Sequence, residues 1–200
     1  MLSSLNEIDG AIWRGNLTLI VGEKDSRKTD LMLLEAVKLA DKRSRIGYFS
    51  FDTVQEKLQK SAEAFYDLDN NKRVISYLDL RSQFHCDSID DILSKVHDLT
   101  IFDPLNQVCT YNRSNASDLA RDLKGGARKH SKGVVTTWQL DSPYDINQEI
   151  GDSDIPLGLQ LHCDTIFYVK GTQHSSSVYL IKSKILGHSF AHFTIPLLPI

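Results

Sequence analysis

Residues Leu17 to Ala40 read LTLIVGEKDSRKTDLMLLEAVKLA, and this stretch decides the fold. Leu17-Thr18-Leu19-Ile20-Val21 is a continuous apolar run of the kind that forms a buried strand. It stops at Gly22 and passes through a polar loop to Lys28-Thr29. A helical pattern follows, with Leu31, Leu34, Ala36, Val37 and Leu39 in apolar positions. Strand, glycine, loop, Lys-Thr and helix make a phosphate-binding turn, written G-x-x-x-x-G-K-[ST]. Gly22, Lys28 and Thr29 satisfy the pattern, and Arg27 stands at its second glycine.

Outward from this unit, strands and helices alternate. Arg45–Phe51 (RIGYFSF) reads as a buried strand. In the next helix Val54, Leu58, Ala62 and Phe65 share one face. RVISYLDL (residues 73–80) reads as a strand. SIDDILSKVHD reads as a helix opened by a Ser88/Asp91 capping box, burying Ile89, Ile92, Leu93 and Val96. LTIFDPL is a short strand closed by an acid. SNASDLARDLKGGARKH is a helix weakened by Gly125 and Gly126, each costing up to ~1 kcal/mol relative to alanine. GVVTTWQL, CDTIFYVKG, SVYLIKSKI and AHFTIPL complete the strands, the second and third joined by a hairpin-like link. Pro196 marks an edge or a strand end. The pattern predicts an α/β fold with a mainly parallel sheet, helices on both faces, and antiparallel strands at the C-terminal end.

The 200 residues fit one domain spanning residues 1–200. A formal charge of -3 argues against a surface that is wholly a nucleic-acid footprint. Cys86, Cys109 and Cys163 are few and unpaired in spacing, which suggests a reducing compartment, cytoplasmic or nuclear. No run is long and apolar enough for a bilayer, and MLSSLNEIDG lacks the layout of a signal peptide.

In open α/β sheets ligands sit at the carboxyl ends of the strands. Gly22 and the Lys28-Thr29 loop end the first strand, Asp52 the second, Asp103 the LTIF strand and Gln139 the VVTTW strand. Amides at a helix N-terminus cradle phosphate, and Lys28 would neutralise its outer charge. Thr29 and Asp103 would hold Mg²⁺, Asp52 would orient water, and Gln139 would sense the terminal phosphate. Singly, each residue is as readily a turn, cap or solvated loop residue; together and in order they form a site. The loop after Gln139, DSPYDINQEIGDSDIP, carries acids and no Lys or Arg, so it repels a phosphate backbone. It is either an acidic solvated loop or a protein-docking surface. The basic run RDLKGGARKHSK fits an exposed charged face or a nucleic-acid patch. The His85-Cys86 and His162-Cys163 pairs match no usual zinc spacing.

The strings LSSLNEIDGAIWRGNLTLIVGEKDSRKTDLML, IGYFSFD, TIFDPL, NRSNASDLARDLKGGARKH, VVTTWQLD, HCDTIFYVKG and YLIKSKILGHSF resemble the RecA-type motor domain of DnaB-class replicative helicases, related to RecA and KaiC. The resemblance spans nearly the whole chain. It implies a RecA-like P-loop fold, ATP and Mg²⁺ as cofactors, and assembly with like or unlike RecA-type subunits. Single-stranded DNA would be reached through that assembly. The departures fall on the chemistry. Arg27 replaces a glycine. Asp52 stands where these helicases use glutamate, one methylene longer. Lys184 stands where they carry an arginine finger, and it lacks the planar fork. Two readings follow: an ATP-binding protein of replication or recombination assemblies with weak or lost hydrolysis, or a non-catalytic subunit that acts by docking without nucleotide.

Overall fold

A computed structural model describes residues 15–41, 44–66, 78–82, 88–145, 155–171, 175–183 and 192–196. β1 (Leu17–Glu23) runs into α1 (Lys28–Asp41), followed by β2 (Ile46–Ser50), α2 (Gln55–Tyr66), β3 (Leu78–Ser82) and α3 (Ile89–Ser94). Then come β4 (Leu99–Asp103), α4 (Leu105–Asn112), α5 (Ala116–Lys129), β5 (Gly133–Leu140) and α6 (Leu157–His162). β6 (Thr165–Gly171), β7 (Ser175–Ser183) and β8 (His192–Pro196) close the chain.

The strands form one 8-stranded sheet in the order β3-β2-β4-β5-β1-β6-β7-β8. β1 to β6 pair in parallel, with β1 between β5 and β6. β7 and β8 add antiparallel at one edge, and Pro196 ends β8 there, on an edge strand where proline is tolerated. The expected fold class is therefore the observed one.

Side chains alternate along β1 and so divide the core. Ile20 packs with Leu31, Val37, Leu58 and Phe65 of α1 and α2. Leu17, Leu19 and Val21 face Leu93, Val108, Leu119 and Leu123 on the other side. Each such buried side chain contributes about 1.5–3 kcal/mol through removal from water. Asp30 in the first turn of α1 and Lys38 in its last complement the helix dipole.

Ser88 caps α3 as expected, its Oγ accepting from the Asp91 N–H at 3.1 Å. Two apolar residues expected inside are outside. Val54 precedes the first turn of α2 and is 56% exposed; Val96 follows the end of α3 and is 69% exposed. Helical spacing extrapolated past the last turn no longer points at the core. α4 and α6 were not expected. Of the two glycines in α5, Gly126 has a packing reason, because a Cβ there would stand 2.5 Å from Leu93 Cδ1, whereas one on Gly125 would meet open space. No helix among the described residues is long and apolar enough to cross a membrane.

Candidate functional site

In the turn between β1 and α1, Arg27 stands where the phosphate-loop pattern has its second glycine. Arg27 takes φ 61°, the left-handed region that glycine enters freely and that costs a β-carbon residue about 1–2 kcal/mol. Its guanidinium turns sideways, and Nε donates to Asp30 Oδ2 at 2.8 Å.

Lys28 organises the interior of the turn. Its Nζ donates to the carbonyl oxygens of Gly22 (2.8 Å) and Glu23 (2.7 Å) and to Ser26 Oγ (3.1 Å). Ser26 closes the ring by donating its N–H and Oγ–H to the Glu23 carbonyl. Burial holds the Lys28 ammonium below its ordinary pKa, and the carboxylates of Asp103, Glu23, Asp52 and Asp25 pull the other way. The first helical bond here runs from the Leu31 N–H to the Arg27 carbonyl at 3.0 Å. The amides of Lys28, Thr29 and Asp30 therefore start α1 without intrahelical acceptors, as an anion cradle requires.

Two glycines let the turn approach the sheet. A Cβ on Gly22 would lie 2.4 Å from the Val169 carbonyl oxygen, and one on Gly171 would lie 2.6 Å from the Ser26 carbonyl carbon and oxygen. Glu23 is steadied from below by Tyr168, whose hydroxyl donates to Glu23 Oε1 at 2.7 Å.

Asp103 ends β4 and is 2% exposed. Its Oδ2 accepts from Thr29 Oγ1 at 2.8 Å and from the Tyr48 hydroxyl at 2.5 Å; its Oδ1 accepts from Thr137 Oγ1. The two residues expected to hold a metal thus meet directly. Burial, and then the neighbouring Asp103 charge, push the Tyr48 phenol well above its ordinary pKa. Tyr48 and Thr137 were not singled out in the sequence. The available signal was chemical: a hydroxyl inside a buried strand needs an acceptor.

Asp52 lies exposed past the end of β2, with Oδ1 accepting from Thr53 Oγ1 (3.0 Å) and Ser50 Oγ (3.3 Å). Desolvation, followed by the Asp103 charge, raises its pKa. Gln139 is inside β5 and is clamped through its backbone by Asn106 of α4. Asn106 Oδ1 accepts from the Gln139 N–H at 2.7 Å, and Asn106 Nδ2 donates to the Gln139 carbonyl at 3.1 Å. Asn106 also went unnoticed in the sequence. Lys184 lies outside the described residues.

A cleft of about 410 Å³ brings these groups together: Arg27, Lys28, Thr29, Asp52, Asp103 and Gln139 all line it. Its charged lining comprises four cations (Lys24, Arg27, Lys28, Lys57) and four carboxylates (Asp25, Asp30, Asp52, Asp103), formally in balance. On the other side of the turn a hollow of about 530 Å³ carries Glu23, Asp25 and Asp141.

A parallel sheet with this turn at the end of its first strand, and an acid and a glutamine at the ends of neighbouring strands, defines a RecA-like P-loop fold. Solved structures share it. Flagellar accessory protein FlaH from Methanocaldococcus jannaschii superposes with a TM-score of 0.70 at 16% identity, covering 100% of this chain and 95% of its own. A DnaB-like replicative helicase, solved for its interactions with primase, superposes with a TM-score of 0.67 at 14% identity, over 93% of this chain and 55% of its own. At such identities the likeness is one of fold. No family model and no curated protein matches the sequence.

Proposed function

We propose that the chain is a nucleotide-binding protein of RecA/DnaB-helicase type that holds the phosphates of ATP on the Gly22–Thr29 turn. Hydrolysis is slow or lost. The observation that carries this reading is the ordered turn itself: Lys28 Nζ tied to Gly22 and Glu23, with Arg27 kept at the left-handed position. Three features support weak turnover. Asp52 has a shorter reach than glutamate, and two hydroxyls occupy its carboxylate. A misplacement of about 1 Å in such a group costs on the order of 10²-fold in rate. Lys184 brings a point charge where a planar fork would bridge phosphate oxygens.

RecA-type sites are completed by neighbours, so the protein works in an assembly with like or unlike RecA-type subunits, in DNA replication or recombination. The acids Asp141 and Asp145 beyond β5 repel a phosphate backbone, which supports a reading in which other members of that assembly make any single-stranded DNA contact. The second reading, docking without nucleotide, is favoured by one observation: the balanced charge of the cleft, with Arg27 engaged by Asp30.

Calorimetric titration with ATP, alongside phosphate release, tests the proposal. Wild-type protein binds ATP and releases phosphate at background rate, and Lys28→Ala weakens binding by about tenfold or more, some 1.4 kcal/mol. Absence of binding by wild type and by Arg27→Gly leaves the docking reading.

A further inference from the structure

We infer that the cleft holds nucleotide phosphate with protein cations alone, because the buried hydroxyls of Tyr48 and Thr137 occupy Asp103 where a divalent ion's water shell would need it. The inference rests on the nucleotide-binding reading and adds the form of the ligand: a polyphosphate tail without its metal.

A carboxylate offers about four lone-pair sites. On Asp103, Thr29 and Tyr48 take two on Oδ2 and Thr137 takes one on Oδ1. The Thr29 bond by itself suits a metal site, since a threonine oxygen can ligate a cation while its proton rests on the acid. The other two do not. Mg²⁺ sheds water reluctantly and keeps several waters, whose protons need acceptors. One site is left on Oδ1, enough for a single water proton; to accept a second, Asp103 would have to drop a side-chain donor. Tyr48 and Thr137 are both fully buried, so a released hydroxyl would find no water. An orphaned buried hydroxyl costs more than the hydrogen bond it replaces contributes.

Positive charge is present in another form. Lys24, Arg27, Lys28 and Lys57 line the same cleft. Arg27 adds a cation that the consensus glycine would not bring. Its guanidinium is 2.8 Å from Asp30 on the cleft wall, so phosphate oxygens need only draw it from one anionic partner to another. The residue that breaks the motif thus takes over part of the metal's work.

The test is a calorimetric titration of the whole chain with ATP, once with excess Mg²⁺ and once with EDTA, beside the variants Tyr48→Phe and Thr137→Val. For wild type, binding is about tenfold or more weaker in excess Mg²⁺ than in EDTA, because the metal must first leave the ATP. In the variants, which return acceptor sites to Asp103, Mg²⁺ tightens binding by about tenfold or more. Mn²⁺ added to the wild-type ATP complex gives the electron-spin signal of the ATP-bound ion in solution. Wild-type binding that is equal in the two buffers, or weaker in EDTA, overturns this inference and leaves the nucleotide reading standing. No binding in either buffer overturns both. Should the variants fail to fold, the wild-type comparison decides alone.

Discussion

Gly171, the last residue of β6, lies directly against the backbone of Ser26 in the β1–α1 turn, so closely that a Cβ would stand 2.6 Å from the Ser26 carbonyl carbon. Backbone cannot move aside as a flexible side-chain tip can. Gly171→Ala therefore displaces the turn, at a cost of about 1–3 kcal/mol for overpacking. The expected result is a lower urea midpoint together with ATP binding weakened by about tenfold. Unchanged ATP affinity would show that the turn is not positioned from β6.

Arg27→Gly is expected to raise stability. It relieves a left-handed residue, worth about 1–2 kcal/mol, against about 0.5–1 kcal/mol for glycine's added freedom in the unfolded chain. The Arg27–Asp30 pair lost with it contributes about 0.3–0.5 kcal/mol. The balance is a gain of about 0.5 kcal/mol, measurable by urea unfolding. A loss above about 1 kcal/mol would mean the side chain matters more to the fold than its backbone conformation costs.

Lys124 and Asp164 form a buried pair at the opposite end of the sheet. Asp164 Oδ2 also accepts from the Leu17 N–H at 2.8 Å, and Lys124 Nζ donates to the Gly15 carbonyl at 2.9 Å. Lys124→Met strands a buried carboxylate and costs about 3–5 kcal/mol. The double variant Lys124→Met/Asp164→Asn costs distinctly less, because no charge is left behind. Equal losses in the two would refute this account.

His97 gives the protein an acid-sensitive edge. It packs edge-on to Phe49 at 6.1 Å and sits 3.3 Å from Asp79, which also pairs with Arg81. Burial holds the imidazole below its ordinary pKa of 6.5; Lys132 and Arg81 act in the same sense, and Asp79 opposes them. The unfolded chain then takes up this proton before the native one does. Stability from His97 is complete above about pH 6.5 and is lost as pH falls through that value. Asp79 acts only at stronger acid: burial raises its pKa, but Arg81 and His97 outweigh this and lower it from 3.8. Asp52, whose pKa is raised, contributes with the opposite sign as its carboxyl titrates. Urea midpoints measured from about pH 7 down to about pH 5.5 should fall in wild type and fall less in His97→Gln.

Strands and helix faces were legible wherever apolar spacing was regular, as in Leu17–Val21 and the α1 positions Leu31, Ala36 and Val37. The same rule overreached at Val54 and Val96, which lie just beyond helix ends. It missed α4, whose residues Asn106, Gln107, Thr110 and Asn112 interrupt any apolar stripe. It missed α6, where Leu157 and Leu161 point outward. Of the candidate site, Lys28, Thr29 and Asp103 could be read because each closes a strand or opens a helix, and Gly22 and Gln139 because each stands one residue before a strand's end. Tyr48, Thr137 and Asn106 could not, since their roles depend on which strands are neighbours. β4 lies between β2 and β5, and no local pattern states that order.

The left-handed conformation at Arg27 also bears on how such chains are recognised. The bend stands without the amino acid that usually permits it, because Gly22, Gly171 and the Lys28 ammonium hold it from three sides. A text pattern that insists on glycine at that place would pass over this protein. The small residues beneath the bend, Gly22 and Gly171, mark turns of this shape where that letter fails.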